Sequence, residues 1–393
     1  MTEPKTETFV SKTATTTTDN KRITKSSWFL FLIVIPVSVA VILYQVDKFD
    51  AGSLPKSTLS WKPVKVSKHH DHILEASHRI GEGHLPGPED LAYDSETGFI
   101  YTGCNDGWIR RVKLTDSGLD LKVEDWIYVG GRPLGIAFGP NKQLIIAESG
   151  KGLMKVTKEG KVELLTDEAE GLKFRLTDGV DVAGDGVIYF TDASSKYSLD
   201  DHMLDVLEGR PYGRLMSYDG TNSANSTKVL ARDLYFANGV AVSPENDAVV
   251  YCETPLRRCS KYYIKGEKEG SVDIFVDNLP GYPDNIRYDG EGQYWIGLVT
   301  GKTLSWDVML RYPSIRKTTA MLSRFVNIPQ TLKDGGVVAV NLNGEITGLY
   351  TDVALASVTV GIKIGDHLYY GSLVKTYISR LDLTKHAATE RVE

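Results

Sequence analysis

The chain lacks a basic excess and has few cysteines. Its 393 residues include 51 acidic and 45 basic ones, which gives a formal net charge of −6. A nucleic-acid-binding protein needs a basic surface that neutralises phosphates, so we expect no nucleic-acid partner. The three cysteines, Cys104, Cys252 and Cys259, allow at most one internal disulfide. Cys252 and Cys259 flank a turn that contains proline, and the sequence leaves open whether they pair or remain buried thiols.

One uncharged apolar run covers residues 28–44, at the short end for a membrane-spanning helix. Lys21, Arg22 and Lys25 precede it, which predicts a cytosolic N-terminus and a lumenal C-terminal part. A cleaved signal peptide is the alternative, but no A-x-A-like site follows the run, which favours an uncleaved signal anchor. A short anchor suits the thin endoplasmic reticulum bilayer. We therefore expect a type II endoplasmic reticulum membrane protein, and onward transport to the vacuole or the cell surface stays open.

Composition divides the rest of the chain. Residues 1–27 are polar and cannot bury a core, which predicts a disordered cytosolic tail. Residues 45–79 form a stalk, and we interpret its histidine-rich end, residues 68–72, as a solvated linker. Asn225 begins an N-x-S/T sequon and is a candidate glycan acceptor in a lumenal domain.

A short pattern recurs six times in residues 80–385. Each copy begins a strand-like run that a turn and a second strand follow. The lead residues of the six copies are Glu89, Leu134, Asp178, Asn238, Asp284 and Val360. The shorter spacings between leads, 44 to 46 residues, suit four strands per unit. The sequence therefore predicts an all-β fold, a six-bladed β-propeller behind a single-pass transmembrane anchor.

Two of the spacings are longer and indicate insertions, over residues 194–210 and 302–333. The second insertion mixes apolar and basic residues and is predicted to be partly helical. It can form a lid over the propeller face, a helix packed on the blades, or a segment that lies on a membrane surface. We favour the lid.

The lead residues of a propeller converge on its central channel. Four of them, Glu89, Asp178, Asn238 and Asp284, carry side-chain oxygens. Oxygen ligands are typical of Ca²⁺, and the absence of thiolate and imidazole disfavours zinc. Such residues also serve as turn residues before strands. Four in one register favour the metal site, to which the neighbours Asn285 and Asp90 can add ligands.

The remaining leads, Leu134 and Val360, are apolar. They are expected to leave one side of the ring suited to an organic substrate.

Several longer stretches resemble the strictosidine synthase-like family. They are G-P-E-D-L (87–91), G-R-P-L-G-I (131–136), I-Y-F-T-D-A-S-S-K-Y (188–197), G-R-L-M-S-Y-D (213–219), N-G-V-A-V-S (238–243) and P-G-Y-P-D-N-I-R (280–287). The wider superfamily includes paraoxonases, gluconolactonases and diisopropyl fluorophosphatase. The resemblance implies a six-bladed propeller with calcium in the central channel.

The resemblance also implies roles for individual residues. The positions that match the catalytic-calcium ligands of the paraoxonase pattern are Glu89, Asn238, Asp284 and Asn285. Asp178 stands where that pattern has asparagine, and Asp90 matches a position associated with a second, structural calcium.

Two positions depart from the relatives' catalytic residues. Leu134 stands where paraoxonases have a histidine proposed as the base. Val360, or Thr359 with a different gap, stands where strictosidine synthase has its catalytic glutamate. We therefore expect no strictosidine synthase activity.

Two functions follow from these residues. The first is a calcium-dependent hydrolase of small organic esters or lactones, with Asp284 or Asp178 as candidate base or nucleophile. The second is a non-catalytic lumenal binding or scaffold propeller with a structural calcium.

Overall fold

The computed structural model describes Met1, Trp28 and residues 30–56, 69–70, 72–115, 122–221, 226–328 and 332–386. It divides into two compact units, Met1–Lys48 and Phe49–Glu393. Beyond Met1, the predicted disordered tail over 1–27 lies outside the described residues, as do much of the stalk and the candidate glycan acceptor Asn225.

The first unit contains a π-helical segment, Leu30–Val34, that continues into helix α1, Ile35–Val46. Pro36 lies in the first turn of α1. Among the described residues, no helix is both long and apolar enough to cross a membrane. The predicted anchor over 28–44 is therefore not confirmed.

The second unit is a six-bladed propeller, as predicted. The chain enters it through two short strands, β1 (His69–His70) and β2 (His78–Ile80). Four blades then follow in order, each a four-stranded antiparallel sheet.

Blade 1 contains β3 (Leu91–Asp94), β4 (Phe99–Gly103), β5 (Trp108–Lys113) and β6 (Val123–Tyr128). Blade 2 contains β7 (Pro133–Phe138), β8 (Leu144–Glu148), β9 (Gly152–Val156) and β10 (Val162–Thr166). A small hairpin, β11 (Glu168–Ala169) and β12 (Leu172–Lys173), leads to the next blade. Blade 3 contains β13 (Thr177–Val182), β14 (Ile188–Asp192), β15 (Gly213–Tyr218) and β16 (Thr227–Leu234). Blade 4 contains β17 (Ala237–Val242), β18 (Ala248–Glu253), β19 (Arg258–Tyr263) and β20 (Val272–Val276).

The last two blades include the entering strands. Blade 5 contains β21 (Gly281–Tyr288), β22 (Gln293–Gly301), β23 (Gly335–Asn341) and β24 (Ile346–Asp352), with β1 added in parallel to β24. Blade 6 contains β25 (Val358–Ile364), β26 (His367–Ser372) and β27 (Ile378–Asp382), with β2 as its outer strand. The pairing of β2 with β27 joins the beginning and the end of the propeller in one blade, which closes the ring.

Both insertions contain helices. The first, between β14 and β15, holds a 3₁₀ turn (Leu199–Asp201) and α2 (His202–Glu208). The second, between β22 and β23, holds α3 (Leu304–Arg311) and α4 (Pro313–Ser323). Two further 3₁₀ turns cover Ile73–Ala76 and Thr254–Leu256.

Apolar residues of neighbouring blades pack against each other and form the core. Between blades 2 and 3, Ile145 and Ala147 belong to the same buried apolar cluster as Ile188 and Phe190. Because side chains of a strand alternate between the two faces of its sheet, one strand contributes to the interfaces on both sides. Each blade thus needs both neighbours to bury its faces.

The open question about the cysteines is resolved in favour of pairing. Cys252 of β18 and Cys259 of β19 lie opposite each other in the sheet and form a disulfide. Cys104 is a buried free thiol, and burial raises its pKa to about 11.

Candidate metal centre and substrate cavity

The inner strands of blades 2 to 6 share one irregularity. In each of these strands a β-bulge adds one residue between two positions that are paired with the second strand of the blade. The bulges lie between Pro133 and Ile136, Thr177 and Val180, Ala237 and Val240, Pro283 and Ile286, and Val358 and Gly361. A bulge bends the strand and re-aims side chains. The first residue inside each bulge is therefore the structural equivalent of the lead residue in the sequence repeat.

This equivalence corrects one assignment. In blade 6 the first residue inside the bulge is Thr359, and Val360 is the second. The side chain of Val360 is fully buried among Leu91, Ile100 and Tyr369, between blades 6 and 1, and does not line the cavity. The hydroxyl of Thr359 donates a hydrogen bond to the backbone carbonyl of Glu89. Leu134 is therefore the single apolar residue among the six structural lead positions.

Glycine follows the lead residue where the blades approach most closely. A Cβ atom on Gly135 would lie 2.4 Å from the carbonyl oxygen of Asp178, and one on Gly179 would lie 2.7 Å from that of Asn238. On Gly239 it would lie 2.5 Å from the carbonyl oxygen of Asp284. Only glycine permits such contact between backbones, so these glycines hold the inner strands close together.

Four of the predicted ligands lie on one cavity of about 520 Å³. Glu89, Asp178, Asn238 and Asp284 all line it, and each is at most 5% exposed. Asn285 is fully buried beside them and donates from Nδ2 to Oε1 of Glu89 over 2.7 Å. The structure thus brings together all five residues that the sequence indicated as ligands.

The oxygen atoms of this group are incompletely satisfied. Glu89 Oε2, Asn238 Oδ1 and Asn285 Oδ1 are buried and have no hydrogen-bond partner within the described part of the chain. The two amide oxygens can only accept, as can Oε2 of Glu89 when its carboxylate is ionised, so each of these oxygens requires a donor or a cation. Buried polar atoms without partners are rare in native proteins. The donor set of carboxylate and amide oxygens fits Ca²⁺.

The carboxylates raise one another's pKa values. Burial, together with the neighbouring charges of Asp90 and Asp178, raises the pKa of Glu89 well above its usual range. Burial and the charges of Glu89 and Asp178 likewise raise the pKa of Asp284 well above its usual range. Burial, then repulsion from Asp90 and Asp192, raises the pKa of Asp178 to about 7. A cation held between these groups would favour their ionised forms.

Asp90 has a different environment from the four candidate ligands that line the cavity. Its carboxylate accepts from the backbone N–H groups of Leu91 and Ile136, both over 2.8 Å, and forms an ion pair with Arg287. Arg287 also donates to the carbonyl oxygens of Val180, over 3.1 Å, and Ile136, over 3.0 Å. A guanidinium therefore supplies the positive charge where the family resemblance implied a second calcium.

A second set of buried acids is structural. Glu148, Asp192 and Glu253 each end the second strand of a blade. Each accepts a backbone N–H from the segment that enters the inner strand, from Arg132, Leu176 and Tyr235, respectively. Their oxygens stabilise the turn that leads into the bulge. This role distinguishes these acids from the candidate metal ligands.

The two insertions cover the cavity. Its walls include Leu199 and Met203 of the first insertion and Trp306 and Leu332 of the second, with Leu134 and Phe236 from the blades. Arg316 of α4 joins the insertions, since its Nη1 donates to the carbonyls of Leu207 and Glu208, each over 3.0 Å. The second insertion thus lies over the cavity, as a lid does, and also packs on the propeller through Trp306 and Tyr282.

Sequence reasoning missed His202, which also lines the cavity. Its Nδ1 lies 2.6 Å from the carbonyl oxygen of Leu199. A carbonyl can only accept, so Nδ1 carries the proton and, in the neutral ring, Nε2 is an acceptor. No repeat or motif contains this histidine, because it lies in an insertion.

Two family models match the chain. Residues 178–267 match strictosidine synthase, and residues 73–112 match the N-terminal region of strictosidine synthase-like proteins. Protein strictosidine synthase-like 6 of Arabidopsis thaliana is 49% identical over 373 residues, which cover 93% of this chain and 98% of that protein. The chain belongs to the strictosidine synthase-like family. The adipocyte plasma membrane-associated protein of Homo sapiens is 33% identical over 383 residues, which cover 89% of each chain.

Solved structures resemble this strictosidine synthase-like protein in fold. A gluconolactonase from Xanthomonas campestris has a TM-score of 0.56 at 15% identity and covers 82% of this chain and 99% of its own. Regucalcin from Agrobacterium tumefaciens, a calcium-binding protein, has a TM-score of 0.54 at 14% identity, with coverages of 81% and 95%. At this identity the likeness concerns the propeller fold alone.

Proposed function

We propose that this strictosidine synthase-like protein is a calcium-dependent hydrolase of small organic esters or lactones. The observation that carries the proposal is the set of three buried acceptor oxygens without partners, on Glu89, Asn238 and Asn285, beside a largely apolar cavity. The resemblance of the fold to a gluconolactonase and to a calcium-binding regucalcin supports the same chemistry.

The residues that would hold the ion are Glu89, Asn238, Asp284 and Asn285, with Asp178 as a further carboxylate. When bound, Ca²⁺ supplies Lewis-acid polarisation of the substrate carbonyl and stabilises the developing oxyanion. The apolar side chains of Leu134, Phe236 and Trp306 line the same cavity and would bind the organic part of the substrate.

Two kinds of group in the cavity can take a proton from the attacking water. Asp178 and Asp284 are the carboxylates that the sequence suggested. His202 is the alternative, because its Nδ1 is engaged with the Leu199 carbonyl and its Nε2 is then an acceptor in the neutral ring. We favour His202, since the carboxylates are the residues needed to hold the ion.

Strictosidine synthesis is not proposed. The family's catalytic glutamate has no counterpart here, because the bulge of blade 6 presents Thr359. Its hydroxyl is already engaged with the carbonyl of Glu89 and carries no acidic proton at neutral pH.

Hydrolysis of a panel of aryl esters and lactones by the full chain tests the proposal. We expect turnover that a calcium chelator abolishes and that Glu89→Gln and Asn238→Ala strongly reduce. The exposed-carboxylate variant Glu170→Gln should leave turnover unchanged. Turnover insensitive to chelator and to both site variants would exclude the proposed role of calcium.

A non-catalytic lumenal binding or scaffold propeller with a structural calcium is the second candidate. Its supporting observation is Leu134, which lines the cavity at the lead position where the resemblance to paraoxonases implied a histidine. This candidate predicts that the chelator lowers thermal stability while no ester or lactone of the panel is hydrolysed.

We also propose a membrane-anchored type II arrangement with the propeller in the lumen. The name of the human relative refers to membrane association, and the Cys252–Cys259 disulfide suits an oxidising compartment. Loss of a glycan from Asn225→Gln, together with protease protection of the propeller in microsomes, would support this topology. A propeller that protease digests in intact microsomes would contradict it.

A further inference from the structure

The segment that closes the ring crosses from blade 5 to blade 6. This N-terminal strap, residues 72–80, consists of His72, the 3₁₀ turn Ile73–Ala76, Ser77 and β2. Ile73 and Leu74 of the turn are buried against Trp295, Tyr350 and Leu381. The strap therefore contributes to the interface between the two blades.

The strap brings a histidine and a glutamate to a buried aspartate. His72 forms an isolated β-bridge with Asp352, at the end of β24, so the two residues lie directly opposite each other. Glu75 follows His72 by three residues, and in a 3₁₀ turn residues at this spacing lie one above the other. His72 Nδ1 lies 3.4 Å from Glu75 Oε1. One potential ligand atom from each of the three residues lies within 4.8 Å of the others.

Asp352 is the residue that requires an explanation. It is only 2% exposed, and its Oδ1 accepts from the backbone N–H of Ala354 over 2.7 Å. Its Oδ2 is buried, and no residue that the structure describes donates to it. A buried carboxylate oxygen without a donor is costly unless a cation binds it. His72 and Glu75 are exposed, so an ion can reach the cluster from solvent.

We propose that His72, Glu75 and Asp352 form a binding site for a divalent transition-metal ion, Zn²⁺ or an ion of similar chemistry. Imidazole nitrogen suits zinc, copper, iron and nickel, whereas calcium takes oxygen ligands. One histidine and two carboxylates are three ligands of two types that zinc uses, and a solvent molecule would complete the coordination. The site differs in donor chemistry from the all-oxygen group in the central cavity.

The location gives the ion a structural consequence. His72 and Glu75 belong to the strap, and Asp352 belongs to blade 5, so a bound ion would link the closing segment to the ring. Metal that binds only the folded chain stabilises it by mass action. Zinc should therefore raise the thermal stability of the propeller, independently of the proposed hydrolase activity.

Zinc titration of the full chain, prepared without a histidine tag and in excess calcium, tests this site. His72→Asn and Glu75→Gln alter exposed side chains, so both variants should fold, and His84→Asn changes an exposed histidine outside the cluster as a matched control. We expect at least about ten-fold weaker zinc binding in the two cluster variants, since even second-shell changes cost that much. The control should bind zinc like the unaltered chain.

Thermal unfolding provides a second readout. Zinc should raise the melting temperature of the unaltered chain and of His84→Asn, but not of His72→Asn. Cobalt bound in place of zinc should give the strong visible absorption of a low-coordinate site, lost in Glu75→Gln. Equal zinc affinity in the cluster variants and the control, or no zinc binding by the unaltered chain, would overturn the assignment.

Discussion

Asn285 of blade 5 donates from Nδ2 to Oε1 of Glu89, which precedes the inner strand of blade 1, over 2.7 Å. The hydrogen bond defines which atom of the amide is nitrogen and holds the two side chains against each other. Each residue then keeps one buried oxygen without a partner, Oδ1 of Asn285 and Oε2 of Glu89. The pair is thus oriented so that two acceptor oxygens remain for a ligand. A calcium ion has the chemistry that these oxygens require.

The close approach of blades 4 and 5 should depend on Gly239. We expect Gly239→Ala to lower the free energy of unfolding by about 1–3 kcal/mol, the usual range for forcing extra atoms into a packed interior. The added Cβ would lie 2.5 Å from the Asp284 carbonyl oxygen and would displace this candidate ligand. Denaturant unfolding measures the stability, and calcium titration measures the displacement.

Gly150→Ala is the matched control for Gly239→Ala. A Cβ atom at Gly150 meets nothing within 4 Å. If both variants unfold alike, the tight contact between the inner strands is not what the glycine provides.

The buried ion pair between Arg287 and Asp90 predicts a non-additive effect. Arg287→Met leaves the Asp90 carboxylate buried without its cation, which should cost about 3–5 kcal/mol of unfolding free energy. Adding Asp90→Asn removes the uncompensated charge and should recover part of that loss. A double-mutant cycle by urea unfolding measures the coupling. Additive losses would show that the two residues act independently.

Asp205 of α2 should make stability depend on pH. Burial raises its pKa to about 7, although Ser194 Oγ donates to its Oδ2 over 2.5 Å. Between about pH 4 and pH 7 the folded chain therefore holds a proton that the unfolded chain has released. This residue should lower the unfolding free energy as pH rises through that window, by up to about 1.4 kcal/mol per pH unit.

Comparison with Asp205→Asn isolates this contribution. The variant lacks the titrating group, so at saturating calcium its unfolding free energy should fall less steeply over the same window. Asp201→Asn, on the exposed turn before α2, should keep the slope of the unaltered chain. Parallel pH profiles for the unaltered chain and Asp205→Asn would contradict the prediction.

His202 should control the rate of the proposed hydrolysis. General bases typically contribute about 10²- to 10⁴-fold, so His202→Gln should lower kcat by at least about 100-fold with little change in calcium binding. His84→Asn, which changes an exposed histidine outside both proposed sites, should leave kcat unchanged. An unaltered kcat in His202→Gln would shift the role of base to Asp178 or Asp284.

The repeat in the sequence was enough to predict the six blades and the convergence of Glu89, Asp178, Asn238 and Asp284. The repeat was not enough to place the sixth lead residue. The letters V-G-I from Val360 match L-G-I from Leu134 better than the letters T-V-G from Thr359 do, so the sequence pattern selects Val360. Only the bulge in the strand pairing identifies Thr359 as the equivalent residue. A sequence pattern gives the spacing of residues along one strand. It does not show where a bulge adds a residue to that strand relative to the neighbouring strand.

Other features depend on contacts between distant parts of the chain. Arg287 meets Asp90 across the inner strands, and Asp352 meets His72 between the last strand of blade 5 and the strap. His202 reaches the cavity because its insertion folds over the propeller face. None of these pairings has a local signature, so the sequence alone could not assign the residues.

Calorimetric titration of the full chain with calcium tests the central claim most directly. We expect saturable binding of calcium that Glu89→Gln and Asn238→Ala each weaken at least about ten-fold, since each removes or neutralises an oxygen ligand. Glu148→Gln, which changes a buried acid that serves the backbone, should bind calcium like the unaltered chain if it folds, and the exposed Glu170→Gln should do so as well. Calcium affinity unchanged by Glu89→Gln and Asn238→Ala would contradict the assignment of the cavity as a metal centre.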